Sequence, residues 1–211
     1  MKVLLIFAIL FLQVSAKLGW DGIQAVTVSG FECLKKNGYD FFVARVGRSN
    51  NIVDTTGIQN ILNARQAGWT DVDGYIYPCT TSSCPSGAVQ VENTIKAINA
   101  KGAKMNTLWM DIEGTWPSDT KHNQQFIQGM IDQAEKMNVK VGIYAAHYDY
   151  PEITGNWNGA SKYPLWWANY NGEANLDHFV AFGGWTKPTI HQYKGTTSGP
   201  CGVSMDLSYK P

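Results

Sequence analysis

Two carboxylates stand two positions apart at the end of an apolar run, Thr107-Leu108-Trp109-Met110-Asp111-Ile112-Glu113-Gly114. In a β-strand, residues i and i+2 share a face, so Asp111 and Glu113 project together from a strand end, with backbones about 7 Å apart at the usual rise. Two neighbouring carboxyls are the minimum equipment for cleaving a glycosidic bond. Like charges on one half-buried face raise each other's cost of ionisation, so the pair is expensive unless it has a task. Asp, Glu and Gly are also ordinary turn formers at strand ends. The elements around the pair decide between the two readings.

Those elements alternate. A short extended piece ends near Trp20-Asp21, and Ser29 to Gly38 reads as an N-capped amphipathic turn with a glycine stop. Strands are then expected at 41–46, 72–77, 107–112 and 139–144, separated by helical patterns at 55–67, 89–100 and 120–137. Strand and helix at this spacing mean parallel pairing through right-handed crossovers. Beyond Tyr150 the pattern changes: 165–168, 179–182 and 189–193 read as strands, joined by segments rich in Gly, Asn and Trp without long helical periodicity. An irregular TIM-like α/β barrel accounts for both halves, whereas an open doubly wound sheet would want helices throughout. Catalytic groups in such a barrel come from the carboxyl ends of several strands on one rim. Asp111, Glu113, Asp21, Tyr77, Tyr144, Trp167 and Gln192 all fall at such ends. First and last strands are neighbours in a closed barrel, so Asp206, in the alternating segment Met205 to Tyr209, is expected beside Asp21 as part of an acidic floor.

The first residues have the charge, the apolar stretch and the small-residue end of a secretory leader, with cleavage after Ala16. That leaves 17–211 as a single domain, since no linker, charge block or repeat divides it. The 17 basic and 17 acidic side chains balance, which argues against nucleic acid as a partner. No later stretch approaches the length of a membrane span. Four cysteines in an exported chain point to two disulfides, for which three connectivities exist. Cys79 and Cys84 enclose a short polar loop suited to a local bridge, leaving Cys33 and Cys201 to tie the first helix to the last loop. They lack the company of a metal site, and no phosphate-cradling glycine loop or serine elbow is present, so no metal and no cofactor is expected. Trp116, Trp157 and Trp185 lie in loop-like surroundings where rings serve as platforms for sugars. His147 and His191 lie near strand ends.

Gly19-Trp20-Asp21, Trp109 to Glu113, Gly142-Ile143-Tyr144, Trp166 to Tyr170, and His191-Gln192-Tyr193 followed by Met205-Asp206-Leu207 resemble, in their order and spacing, glycoside hydrolase family 25, the lysozymes of the Chalaropsis type. The resemblance runs from Gly19 to Tyr209, and the two-disulfide layout is similar to nematode and amoebozoan members. It implies five β/α units followed by three helix-poor strands, acting as a monomer on the β-1,4 bond between N-acetylmuramic acid and N-acetylglucosamine of bacterial peptidoglycan. Glu113 matches the family's acid, Asp111 its partner, and Asp21 and Asp206 the supporting acids; Tyr144, Trp167, Tyr170, Gln192 and Tyr77 are expected to position substrate. One departure stands at the first strand, Asp21-Gly22-Ile23, where many members carry Asp-x-Ser. The expected setting is outside the cell, in a gut lumen or a phagolysosome-like vesicle, in digestion of bacteria or defence against them. A wall-binding lectin and a chitinase are the rival readings.

Overall fold

The computed structural model describes residues 16–211, so the expected leader at 1–16 lies, all but Ala16, outside the described residues. Eight strands close into a barrel in sequence order. They are β1 (Lys17–Gly22), β2 (Tyr39–Gly47), β3 (Val72–Ile76), β4 (Thr107–Ile112), β5 (Lys140–Ala146), β6 (Leu165–Ala168), β7 (Ile190–Ser198) and β8 (Ser204–Lys210). The first seven run parallel, while β8 is antiparallel to both β7 and β1. Helices α1 (Val28–Lys36), α2 (Thr55–Gln66), α3 (Gly87–Ala100), α4 (Thr120–Lys136) and the short α5 (Asp149–Thr154) follow the first five strands. The α/β barrel with five β/α units and three helix-poor strands is therefore the observed architecture. No helix among the described residues is long and apolar enough to cross a membrane.

Thr27, rather than the expected Ser29, caps α1 by accepting from the Gly30 N–H, so that helix starts earlier than its sequence suggests, and Asp119 caps α4 by accepting from the Lys121 and His122 N–H groups. Between helices and strands lies the larger apolar layer, which includes Leu34, Ile61, Ile95, Leu108, Met130 and Trp167. The barrel interior holds a second layer of Phe41, Val43, Trp109, Tyr144 and Trp166. Two glycines make room for it: a Cβ at Gly19 would overlap the Phe41 ring, and one at Gly142 the Trp109 ring. The tryptophans plug the barrel below its mouth with both indole N–H groups satisfied, Trp109 donating to Asp73 (2.9 Å) and Trp166 to Ser208 (3.1 Å).

The segment 179–182 is not a strand. Phe182 makes only an isolated bridge to Trp185, and Phe179, Phe182 and Trp185 pack with one another, Phe182 and Trp185 also against Tyr150. Gly183 and Gly184, both at positive φ, turn the chain at once. The aromatic pattern reflected a cluster covering the barrel where a long helix is lacking. The cysteines form Cys33–Cys201, which joins α1 to the 3₁₀ turn Pro200–Gly202, and the local Cys79–Cys84. Bridges of this kind constrain the unfolded chain most when they close long loops, and the first spans 168 residues.

Candidate active site

The carboxyl ends of the parallel strands open on a pocket of about 300 Å³ lined by Asp21, Asp111, Glu113 and Asp206 together with Tyr75, Tyr144, Trp166, Tyr170 and Gln192. Four carboxyls thus share one chamber whose lining contains no lysine or arginine. Asp111 is the penultimate residue of β4 and Glu113 follows the strand by one residue, keeping the shared face that their spacing implies. Asp21 and Asp206 are direct partners in the β1–β8 register. Because β8 runs against the others, its first residues reach the mouth, and Asp206 arrives there from the opposite chain direction.

A hydrogen-bonded relay crosses the floor. Gln192 donates through Nε2 to Asp21 Oδ1 (2.7 Å), and its Oε1 accepts from the hydroxyls of Tyr144 (2.7 Å) and Tyr170 (3.0 Å). Both phenols are pushed up by burial, Tyr170 to about 12, so they act as donors throughout the physiological range. Asp111 is buried, and its Oδ1 has no partner. Burial first, then the charges of Glu113, Asp21 and Asp149, hold the Asp111 carboxyl well above its ordinary range. Asp21 is raised by burial and by Asp206, with Gln192 pulling the other way. Glu113, less enclosed, is raised by burial and by Asp149, while the Tyr144 hydroxyl favours its charged form. Asp206 is raised by burial against bonds from Thr196. The four titrate as a group that retains protons well above the pH at which separate carboxylates would lose theirs. The pressure towards the neutral form falls hardest on Asp111 and Asp21, the two most enclosed.

The positioning residues divide. Tyr144, Tyr170 and Gln192 line the pocket; Tyr77 stands at its edge, where its hydroxyl packs on Gly114 beside Glu113. Trp167 does not reach it. That ring is 1 % exposed on the helix side of the sheet, stacked on His191 at 4.2 Å and edge-on to Phe179, and Trp166 fills the inward place. A barrel strand is apolar on both faces, so Leu165-Trp166-Trp167-Ala168 carries no parity signal. Tyr75 is the other liner that sequence reasoning missed, although inward parity with Asp73 and Tyr77 on β3 was available. Asp149, which bears electrostatically on Glu113, was missed because it lies in a loop-to-helix junction. Trp116 donates from Nε1 to the Glu113 backbone carbonyl (3.0 Å) and, like Trp157, is half-buried against the core, of which Trp185 is wholly part. His191 is buried, with each ring nitrogen against a backbone carbonyl, those of Asn169 and Asn175; His147 is exposed. No group of His, Cys, Asp and Glu among the described residues has the arrangement of a metal site.

Comparisons with known proteins give the family and the fold. The family described as Lys-1, lysozyme-like protein 1, matches residues 13–193. The chain is 45 % identical to lysozyme-like protein 5 of Caenorhabditis elegans over the whole of both chains. It is 35 % identical to probable GH family 25 lysozyme 5 of Dictyostelium discoideum, covering 99 % of this chain and 97 % of that one. Among solved structures, a family GH25 lysozyme from Aspergillus fumigatus superposes with a TM-score of 0.68 at 19 % identity, over 93 % of this chain and 94 % of the other, a likeness of fold.

Proposed function

The chain belongs to glycoside hydrolase family 25, the lysozyme family, and from that premise we propose that it is a muramidase, hydrolysing the β-1,4 bond between N-acetylmuramic acid and N-acetylglucosamine in bacterial peptidoglycan. The observation that carries the reading is the chamber in which Asp21, Asp111, Glu113 and Asp206 meet without a cation. Such a site favours positive charge developing on a sugar ring and keeps a proton available for the leaving oxygen.

Glu113 is the proton donor. It is less enclosed than Asp111 and so within reach of a leaving oxygen. Glu113 holds its proton before the bond breaks; as that proton passes to the leaving oxygen and the anomeric carbon becomes cationic, the positive charge stabilises the Asp111 carboxylate. Two carboxyls on successive inward positions of one strand suit charge stabilisation better than the about 5–5.5 Å of a nucleophile pair. The substrate's own 2-acetamido oxygen then attacks the anomeric carbon, and water opens the resulting ring with retention. The Gln192 relay holds Asp21 in place, and Tyr170 and Trp116 flank the sugar.

The two disulfides and the leader at 1–16 fit export of 17–211 as a monomeric, single-domain enzyme acting outside the cell, in the gut lumen or a phagolysosome-like vesicle, on bacteria taken as food or met as pathogens. Turbidity loss of a bacterial cell suspension, run beside a soluble chitin oligomer, tests the substrate class. Clearing without chitin cleavage is expected, and cleavage of chitin alone would refute a muramidase. An inverted anomeric configuration in the first product would sink the acetamido route while leaving the substrate class intact.

A further inference from the structure

Beside the acid chamber a second cavity of about 500 Å³ opens between the end of β1 and the β7–β8 hairpin. It shares Asp21, Tyr75 and Asp206 with the first, so a ring seated over the acids has this cavity directly alongside. Its remaining walls are Gly22, Ile23, Gln24, Thr196, Ser204 and Met205. They are braced. Gln24 donates to the Gly202 carbonyl (3.2 Å) and accepts from the Ser204 N–H (2.9 Å), which occupies both ends of its amide. The Thr196 N–H donates to Asp206, and Cys33–Cys201 fastens the neighbouring turn to α1. A cavity stiffened on three sides exists before any ligand enters.

Its chemistry is distinctive. Ile23 offers an apolar side chain that is 56 % exposed, while Ser204 and Thr196 bring hydroxyls. Every charged wall group is acidic. Arg45, near the adjoining end of β2, and Arg48, just beyond it, are both engaged by Asp54, at 2.8 and 2.9 Å.

We propose that this side cavity receives the lactyl-peptide arm of the muramic acid residue and selects arms whose lactyl carboxyl is amide-linked over arms whose carboxyl is free. The inference rests on the muramidase reading above. A free lactyl carboxylate entering here meets Asp21 and Asp206 with no compensating cation, in a space partly withdrawn from water. An amide removes that charge, supplies an N–H for the Asp206 carboxylate and a carbonyl for the Ser204 hydroxyl, and lets the first peptide side chain lie on Ile23. The enzyme would then work on peptide-bearing wall and lose efficiency on glycan already stripped of its peptides.

The test compares kcat/KM of the full chain on two soluble glycan preparations: strands bearing peptides, and the same strands freed of them by an amidase. Wild type is expected to prefer peptide-bearing strands by about tenfold or more, the scale on which a mismatched charge or polar group in a pocket discriminates. Ile23→Lys places a cation at the cavity wall on an exposed side chain and is expected to raise kcat/KM on stripped strands about fivefold while lowering it on peptide-bearing ones. A purely structural role for Ile23 would move both substrates together. Equal wild-type rates on the two preparations, or a lysine variant that changes both by one factor, would overturn the proposal with the muramidase reading intact. Cleavage of neither preparation would overturn the muramidase reading and the proposal with it.

Discussion

Two sets of buried carboxyls sit at the same end of this barrel and behave oppositely. Asp54, the residue before α2, is 1 % exposed, and its two oxygens take one bond each from Arg45 and Arg48. Burial alone would raise its pKa, but the hydrogen bonds and charges of the two guanidinium groups overrule burial and lower it. A few residues away in space, Asp21, Asp111, Glu113 and Asp206 have no cation in their chamber, and all four are raised. One carboxylate is satisfied and joins strand β2 to helix α2; the others are left in mutual conflict. Conflict of that kind costs stability and persists only where it serves a reaction, which is why unpaired enclosed acids in a cleft mark a site more reliably than acids alone.

The sharpest way to separate the two sets is to neutralise a member of each. Glu113→Gln should lower turnover by about a thousandfold, the middle of the range for removing a general acid, with circular dichroism and melting temperature near wild type. A variant retaining a tenth of wild-type lysis would place the acid elsewhere. Asp54→Ala should do the reverse. Removing one partner of an enclosed ion pair strands the others, and with Arg48 40 % exposed the loss is set at about 2–3 kcal/mol. Urea unfolding reads this loss, while kcat per folded molecule stays within about twofold.

Asp111→Asn should lower activity and yet raise the melting temperature at neutral pH by about 2–4 °C, because it removes a carboxyl that must ionise without a partner. The pH dependence of the two stability effects has opposite sign. A raised native pKa means that the Asp111 carboxyl is tolerated in acid and becomes a liability as pH rises through that pKa. The stability gain of Asp111→Asn should thus be absent in acid and grow towards neutrality. Asp54, with a lowered pKa, contributes above the ordinary carboxylate range and loses its contribution as pH falls through its native value. The deficit of Asp54→Ala should fade in strong acid. Paired melts across pH measure both, and parallel profiles would end the contrast drawn here. The smallest effect is expected for Tyr170→Phe, which deletes one of the two hydroxyls on Gln192 Oε1 and should raise KM about threefold, one hydrogen bond's net worth.

Much of this was legible before folding was considered. Periodicity located the regions of all eight strands and of four of the five helices, since it is strong in long elements. The i, i+2 spacing placed Asp111 and Glu113 on one face, and closure of the barrel implied that Asp21 and Asp206 would meet, as their direct cross-strand register shows. The failures share a cause. At 179–182 an aromatic cluster imitated a strand, and at Trp166-Trp167 the inward residue was not distinguishable from the outward one, because both faces of a barrel strand are buried and apolar.

What the sequence determined by itself is the set of chemical groups and the strand ends that carry them, because both follow from residue type and local period. What only the tertiary structure decided is which of those groups share a chamber and which proton states they prefer. Asp54 and Asp111 are both single aspartates in the chain; one is held by two arginines and the other by nothing on Oδ1. That difference arises from contacts between residues brought together by closure of the barrel, and from burial that no local stretch of sequence encodes.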